Sequence, residues 1–224
     1  MASDQLSKAF AQDAAICNLI GIKNLVIHGG GPQIKNRLEA QKIESKFILG
    51  LRVTDEKVIK IVEDVLLNDI NPDLVRTINS FNAIAEPVTA RNENSILKVK
   101  KAKNPDLGFV ADPEEIDIDK LNNIINTNKI PVIAPMGLGN QDQVYNINAD
   151  TAAGTIAIKI KAERLLLMTD VPGVKDKNNN YISKLTISEA QKLIDNETIT
   201  GGMIPKIQTC ISAVKNGVGG VVII

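Results

Sequence analysis

The fold is decided by one stretch near the start of the chain, Leu25-Val26-Ile27-His28-Gly29-Gly30-Gly31-Pro32. The apolar residues predict a short buried strand, the glycines a turn, and Pro32 suits the first position of a helix. Backbone N–H groups exposed at such a helix start bind anions such as phosphate. Four further turns centred on glycine or aspartate lie at residues 50–55, 146–150, 169–173 and 200–206. We therefore expect an enzyme that handles phosphate.

Apolar strands alternate with amphipathic helices along most of the chain. Strands are predicted at residues 130–134, 165–168 and 221–224, and helices at residues 3–19, 119–127 and 150–161. This alternation predicts an α/β fold, a three-layer αβα sandwich with a mainly parallel central sheet. Ligands of such sheets bind beyond the carboxyl ends of the strands, where residues 28–31 and 169–170 both fall.

Local patterns add detail to this scheme. Thr54 is placed to cap a helix that has Asp55 and Glu56 in its first turn. Residues 83–118 alternate between short apolar runs and turn residues, which predicts hairpins inserted between helices. The capping box Thr186-Ile187-Ser188-Glu189 opens a late helix.

Composition excludes several classes of protein. Lys plus Arg number 26 and Asp plus Glu number 26, so the chain lacks the basic excess of a nucleic-acid binder. No apolar run reaches the roughly 18 residues of a membrane span, and no signal-peptide pattern opens the chain. We therefore expect a cytoplasmic protein. Cys17 and Cys210 stand singly, which predicts buried thiols and neither a disulfide framework nor a metal cluster.

His28 is the only histidine, so a zinc site with two histidines is excluded. We expect it to be structural, with its ring hydrogen-bonded to neighbouring backbone so that it braces the glycine turn. Two common nucleotide signatures are also absent. Residues 29–34 lack the third glycine of a dinucleotide fingerprint, and no Gly-Lys dipeptide exists for a Walker-type loop. A kinase would need a different phosphate cradle.

Many motifs together resemble the amino-acid kinase family. They are residues 10–13, 28–34, 50–55, 106–110, 131–135, 145–153, 166–173 and 200–206. The chain is most similar to members that phosphorylate the side-chain carboxylate of N-acetyl-L-glutamate in arginine biosynthesis. The resemblance implies the amino-acid kinase fold, ATP as the phosphoryl donor, and Mg²⁺ bound mainly through the nucleotide, with no metal ligands in the protein.

The resemblance also implies roles for individual residues. Gly30 and Gly31 would hold the acyl substrate and the transferring phosphoryl group with backbone N–H groups. Arg52 would clamp the α-carboxylate of the substrate, a role that suits a planar bidentate donor. Asn146 would bind the same substrate.

The remaining roles concern catalysis and the nucleotide. Lys206 would neutralise charge on the transferring phosphoryl group, and Asp150 would orient the catalytic lysines. A lysine in the first turn of a helix opposes the helix dipole, which favours an anion beside Lys206. The nucleotide would lie along Asp170, Val171 and Gly173, with its phosphates near Gly202 and Met203.

The chemistry suits these residues, because phosphoryl transfer needs positioning and charge neutralisation more than an acid or base. A carboxylate nucleophile is already ionised at neutral pH. Two alternatives remain open. One is another kinase of the family acting on aminoadipate, glutamate or aspartate, although Arg52 with Asn146 favours an N-acylated substrate. The other is a non-catalytic module that binds nucleotide or a partner.

Two lobes are expected, residues 1–161 for substrate binding and oligomer contacts and residues 162–224 for ATP, the latter incomplete at its end. Relatives form dimers or hexamers, so we expect a homo-oligomer, with a nitrogen-signalling protein as a further partner. Similar enzymes begin with a strand that supplies another catalytic lysine, and this chain starts after it. A charge about 4 Å away is worth about 4 kcal/mol, so we expect severely impaired activity. Residues 82–87 also differ from the glycine-rich turn of relatives, which puts local hairpin geometry and substrate fit at issue.

Overall fold

The computed structural model describes residues 4–169, 171 and 173–224. The chain divides into two compact units, Met1–Ala149 and Asp150–Ile224. The division falls after the first residue of the helix Ala149–Lys159, whereas the sequence suggests a boundary after residue 161. This helix packs inside the second unit, because a Cβ on Gly154 would lie only 2.5 Å from the Thr209 side chain. The assignment of substrate and ATP to separate lobes stays a prediction.

Eight α-helices form within the described ranges. They are α1 Asp4–Leu19, α2 Gly31–Ala40, α3 Glu56–Glu63, α4 Asn71–Asn79, α5 Ile118–Asn126, α6 Ala149–Lys159, α7 Ile187–Asp195 and α8 Met203–Lys215. A π-helical segment, Asp64–Ile70, joins α3 directly to α4. The predicted capping box at α7 is confirmed, since Thr186 and Glu189 exchange side-chain and backbone hydrogen bonds.

Eleven strands form in the same ranges. They are β1 Val26–Ile27, β2 Phe47–Ile48, β3 Leu51–Arg52, β4 Ala85–Val88, β5 Leu97–Lys101, β6 Ala111–Ile116, β7 Ile130–Ile133, β8 Met136–Leu138, β9 Val144–Asn146, β10 Leu165–Leu167 and β11 Val221–Ile223. None of the described helices is long and apolar enough to cross a bilayer.

The first unit is organised around a parallel sheet of order β1-β7-β4. The middle strand β7 is buried at every residue, as its continuous apolar sequence predicts. Val26, Ile130 and Val132 belong to a buried cluster that also contains residues of α1 and α4. A second sheet has the order β6-β5-β8-β9, and β2 pairs with β3 as a short antiparallel hairpin.

The second unit contains the parallel pair β10 and β11, in register from Leu165 with Val221 to Leu167 with Ile223. Its core lies between α7, α8 and the loop after β10 and includes Ala190, Ile207 and Ile211. Parallel pairing in both units agrees with the predicted α/β class.

Two local predictions are wrong. Residues 83–118 form one antiparallel hairpin, β5 with β6, but β4 pairs in parallel with β7. The apolar content of β4 does not distinguish a hairpin strand from a sheet edge, so its partner depends on the rest of the fold. Thr54 does not cap α3, because the adjacent Asp55 carboxylate accepts from the N–H groups of Lys57 and Val58.

Candidate active site

The glycine turn connects β1 to α2 and presents free backbone donors. Gly30 is the N-cap residue of α2, and Pro32 is the second residue of the helix, one position later than predicted. The Ile34 N–H donates to Gly30 O at 2.9 Å and starts the helical hydrogen bonds. The Gly31 N–H precedes this bond and has no acceptor within the helix. The turn therefore has the open helix start that an anion needs.

Gly30 is enclosed on one side by the π-helical segment. A Cβ there would lie 2.6 Å from Leu66 Cδ2 and 2.8 Å from Ile70 Cδ1, so a side chain would force both to shift. A Cβ on Gly29 or Gly31 would meet nothing within 4 Å. The turn thus packs tightly at its middle glycine and is open at the other two.

Arg52 at the end of β3 is buried, with 9% of its surface exposed. Its guanidinium donates to Ser45 Oγ and, at 3.2 Å, to Gly31 O, and lies 4.7 Å from the Phe47 ring centroid. No carboxylate of the described residues pairs with it, and burial alone lowers its pKa. A buried cation without a counter-ion is unfavourable. The arrangement therefore favours an anion from outside the chain.

Asn146 at the end of β9 is connected to Arg52 through Thr54. Asn146 Nδ2 donates to Thr54 Oγ1 at 3.3 Å, and Thr54 Oγ1 donates to Arg52 O at 2.8 Å. Thr54 is fully buried. In the sequence, the only sign of this connection is the position of Thr54 two residues after Arg52.

Gly108 holds the backbone of Thr54 in place. Its φ of +70° is one that side chains rarely adopt, and a Cβ on it would collide with Thr54 O. The neighbouring Leu107 O accepts from the Thr54 N–H at 2.9 Å, and the Phe109 N–H donates to Thr54 O at 2.6 Å. Residues 106–110, quoted above only as part of the resemblance, thus support the Arg52 and Asn146 positions.

Gly30, Gly31, Arg52 and Asn146 line one cavity of about 180 Å³ in the first unit. The structure therefore brings together all four residues that the resemblance assigns to the substrate, while their roles stay predictions. A larger cavity of about 460 Å³, beside α4 and β4, contains none of the predicted site residues.

Lys206 and Asp150 form a close ion pair in the second unit. Lys206 Nζ lies 2.8 Å from Asp150 Oδ1 and 2.9 Å from Oδ2, and the two side chains are 12% and 26% exposed. Asp150 lies in the first turn of α6 and Lys206 in that of α8. The carboxylate supplies the anion that a lysine at this position requires. The geometry fits an orienting role for Asp150, which stays a prediction.

The residues predicted for the nucleotide lie in the same unit. Asp170 is outside the described residues. Val171 is exposed, and Gly173 has a φ of +144°, a conformation that favours glycine. Gly202 is the N-cap residue of α8 without a side-chain cap, and Met203 is the first residue of that helix. Their nucleotide contacts stay predictions.

The two cysteines are free thiols, as predicted, but each is only partly buried. Burial raises the pKa of the Cys210 thiol to about 11, so it is protonated at neutral pH. The Cys210 thiol is therefore not an activated nucleophile.

His28 has the structural position that the sequence predicts. It is buried, with Nδ1 3.0 Å from Gly29 O and Nε2 3.1 Å from Asn71 Nδ2. Burial lowers its pKa to about 4, against a smaller opposing effect of the Gly29 hydrogen bond, so the ring is neutral at physiological pH. The prediction that His28 braces the glycine turn is confirmed.

The parallel strands, the open glycine turn at the start of α2 and the absence of a Gly-Lys dipeptide are typical of a kinase that binds phosphate without a Walker-type loop. The sequence model of the amino acid kinase family matches residues 1–224, and the chain belongs to this family. The chain is 46% identical over 235 residues to the acetylglutamate kinase of Brucella anthropi, across 100% of this chain and 79% of that protein. The acetylglutamate kinase of Agrobacterium fabrum is 47% identical, across 100% and 80%.

A solved structure agrees with these relatives. The crystal structure of smu.665 from Streptococcus mutans UA159 has a TM-score of 0.86 and 29% identity, across 100% of this chain and 89% of that chain. The predicted fold class and family are confirmed.

Proposed function

We propose that this protein catalyses the acetylglutamate kinase reaction of arginine biosynthesis, the ATP-dependent phosphorylation of the side-chain carboxylate of N-acetyl-L-glutamate. The observation that carries the proposal is the buried Arg52 guanidinium, which has no carboxylate partner among the described residues and lines a cavity with Gly30, Gly31 and Asn146. The identity to acetylglutamate kinases over the full chain supports the same conclusion.

Substrate binding begins at Arg52, whose guanidinium donates two hydrogen bonds to the α-carboxylate. Asn146 adds an amide whose direction is set by its bond to Thr54. These contacts leave the side-chain carboxylate at the glycine turn, where the free N–H groups of Gly30 and Gly31 hold it.

In the reaction, a side-chain carboxylate oxygen attacks the γ-phosphorus of ATP. The new P–O bond forms as the bond to the bridging oxygen of ADP breaks, so the products are an acyl phosphate and ADP. No proton has to be removed from the nucleophile. Lys206 neutralises charge on the transferring group, and Asp150 holds the Lys206 ammonium through two short contacts.

The use of ATP follows from the kinase relatives. The Asp150 carboxylate is already engaged by Lys206, so the residues fit Mg²⁺ only as an ion carried by the nucleotide phosphates. There it would reduce the charge of the phosphates. Asp170, Val171 and Gly173 are proposed to border the nucleotide, and Gly202 and Met203 its phosphates.

A homo-oligomer, a nitrogen-signalling partner and a cytoplasmic location are proposals that rest on the family resemblance. The lowered activity expected from the sequence also stays a prediction. None of these alters the chemistry proposed for the residues above.

The test is hydroxamate formation from ATP, Mg²⁺ and hydroxylamine, with N-acetyl-L-glutamate compared with glutamate, aspartate and 2-aminoadipate. We expect product from N-acetyl-L-glutamate alone, because a free ammonium group would lie close to the buried Arg52 cation. Equal product from an unacetylated acid would overturn the substrate assignment. Calorimetric binding of ATP without any product would favour the non-catalytic alternative.

A further inference from the structure

A buried hydrogen-bond chain runs from the central strand of the first unit to the glycine turn. It comprises Val132 O on β7, the Asn71 carboxamide at the start of α4, the His28 ring and Gly29 O. Asn71 Nδ2 donates to Val132 O at 2.9 Å and lies 3.1 Å from His28 Nε2, and His28 Nδ1 lies 3.0 Å from Gly29 O. Asn71 has no exposed surface, and His28 is 7% exposed.

The donors and acceptors of this hydrogen-bond chain can be assigned in only one consistent way. Val132 O can only accept, so the Asn71 atom facing it is the amide nitrogen. The second N–H of that nitrogen faces His28 Nε2, which must accept, and the ring proton therefore lies on Nδ1 and is donated to Gly29 O. The opposite carboxamide orientation would set Asn71 Oδ1 against Val132 O and the Nδ1 lone pair against Gly29 O.

One atom is left unsatisfied by this direction. Asn71 Oδ1 is buried without a hydrogen-bond partner. Buried polar atoms in this state are uncommon and unfavourable. In this arrangement the Asn71 oxygen stays unsatisfied, and a single tautomer of His28 is selected.

The bond to Gly29 O fixes the peptide between Gly29 and Gly30. The structure has no cis peptide bonds among the described residues, so the Gly30 N–H points opposite to the Gly29 carbonyl and away from His28. Leu66 and Ile70 occupy the space beside the Gly30 Cα. A glycine peptide is otherwise free to rotate, and here it is held from two sides.

We propose that His28 and Asn71 are positioning residues that aim the Gly30 N–H into the substrate cavity, where it meets the charged oxygens of the phosphoryl-transfer transition state. This inference rests on the proposed function, because Gly30 lines the cavity assigned to the acyl substrate. Burial keeps the His28 ring neutral, so Nε2 remains available as an acceptor.

The first measurement reads the tautomer directly and needs no activity. His28 is the only histidine, so its imidazole ¹⁵N signals are free of overlap. We expect Nδ1 to be protonated and Nε2 unprotonated in the wild-type protein. Asn71→Asp replaces the donor with an acceptor and should move the proton to Nε2 or produce the imidazolium.

Asn24→Asp is the matched control. Asn24 Nδ2 also donates to a backbone carbonyl, Ala14 O at 2.9 Å, and its Oδ1 is also buried without a partner. The substitution thus makes the same chemical change at a site that does not contact His28. We expect the His28 tautomer of this variant to match the wild type.

The second measurement separates positioning from folding by kinetics with N-acetyl-L-glutamate. In His28→Asn the side-chain amide nitrogen replaces Nδ1 of the imidazole. In His28→Gln the side-chain amide nitrogen replaces Nε2. We expect kcat to fall roughly ten- to a hundredfold in His28→Gln with KM within about twofold, and His28→Asn to recover most of the loss. If His28 had a purely structural role, the kcat values of His28→Asn and His28→Gln would not differ.

A wild-type protein with the proton on Nε2 would overturn the proposal, as would an unchanged kcat in His28→Gln. If Asn71→Asp does not fold, the proposal is tested by the tautomer of the wild-type protein and by the kcat values of the two His28 variants. A wild-type protein with the Nδ1 proton but no product from N-acetyl-L-glutamate would contradict the proposed function and still support the hydrogen-bond chain.

Discussion

Replacing Arg52 with methionine should separate substrate binding from stability. Methionine retains an unbranched stem to pack against Phe47 but presents no charge. Hydrogen bonds to charged groups contribute about 1.5–3 kcal/mol each, and a guanidinium makes two to a carboxylate. Allowing for a water that replaces part of this, a loss of about 2–4 kcal/mol raises the Kd of N-acetyl-L-glutamate roughly 30- to 1,000-fold.

The same substitution should leave the fold intact. Within the part of the chain that the structure describes, Arg52 has no carboxylate partner to lose, and burial already disfavours its charged form, as its lowered pKa indicates. Replacing a buried charge with an apolar side chain of similar length is often neutral or stabilising. We therefore expect an unchanged or higher Tm together with weaker binding.

Calorimetric titration of N-acetyl-L-glutamate and thermal melting are the two measurements. Arg76→Met is the matched control, because Arg76 is exposed, pairs at 2.8 Å with Asp73, and is not among the residues that line the 180 Å³ cavity. It should bind the substrate as the wild type does. A Kd for Arg52→Met within about twofold of the control would refute the assignment, and a large fall in Tm would refute the stability argument.

Three further predictions concern the other parts of the structure. Lys206→Ala should lower kcat about a hundredfold or more with little change in the KM for N-acetyl-L-glutamate. The control variant Lys192→Ala, on the exposed face of α7, should leave kcat unchanged. A near-normal kcat in Lys206→Ala would remove Lys206 from the mechanism. Thr54→Val should lower the free energy of unfolding in urea by about 1–3 kcal/mol, because its two side-chain partners are left unpaired, and Thr54→Ser should restore most of it. The pKa of His28 falls from 6.5 to about 4 on folding, so the folded state binds fewer protons in that window. The contribution of neutral His28 to the free energy of unfolding is fully present above pH 6.5 and decreases by about 3 kcal/mol as the pH falls to 4. The urea midpoint of His28→Asn should therefore change less over this pH range than that of the wild type. An equal change in the two proteins would contradict the assignment.

The sequence predicted those elements whose signals are local. β7 is a continuous apolar run, the Thr186 capping box is a four-residue pattern, and Pro32 after three glycines marks the start of α2. Each depends on the conformational preferences of adjacent residues, so no distant contact was needed to recognise it. Residues quoted for the family resemblance, such as Arg52 and Asn146, were also found to line one cavity.

Other features depended on partners far away in the chain. β4 resembles a hairpin strand in isolation, but it joins β7, whose first residue comes much later in the sequence. Thr54 is a residue type that often caps helices. Asp55 caps α3 instead, because its carboxylate is one residue closer to the helix. Thr54 is then available to bond to Arg52 and Asn146, which no local pattern indicates.

By itself, the sequence determined the family, the alternation of strands and helices, and the kinds of side chain available for phosphoryl transfer. Only the tertiary structure decided that Arg52 has no counter-ion among the described residues, that Lys206 already has one in Asp150, and that Asn71 sets the tautomer of His28. The physical reason is that charge and hydrogen-bond satisfaction depend on which groups become neighbours after burial. Composition and spacing specify the groups, but folding selects their partners.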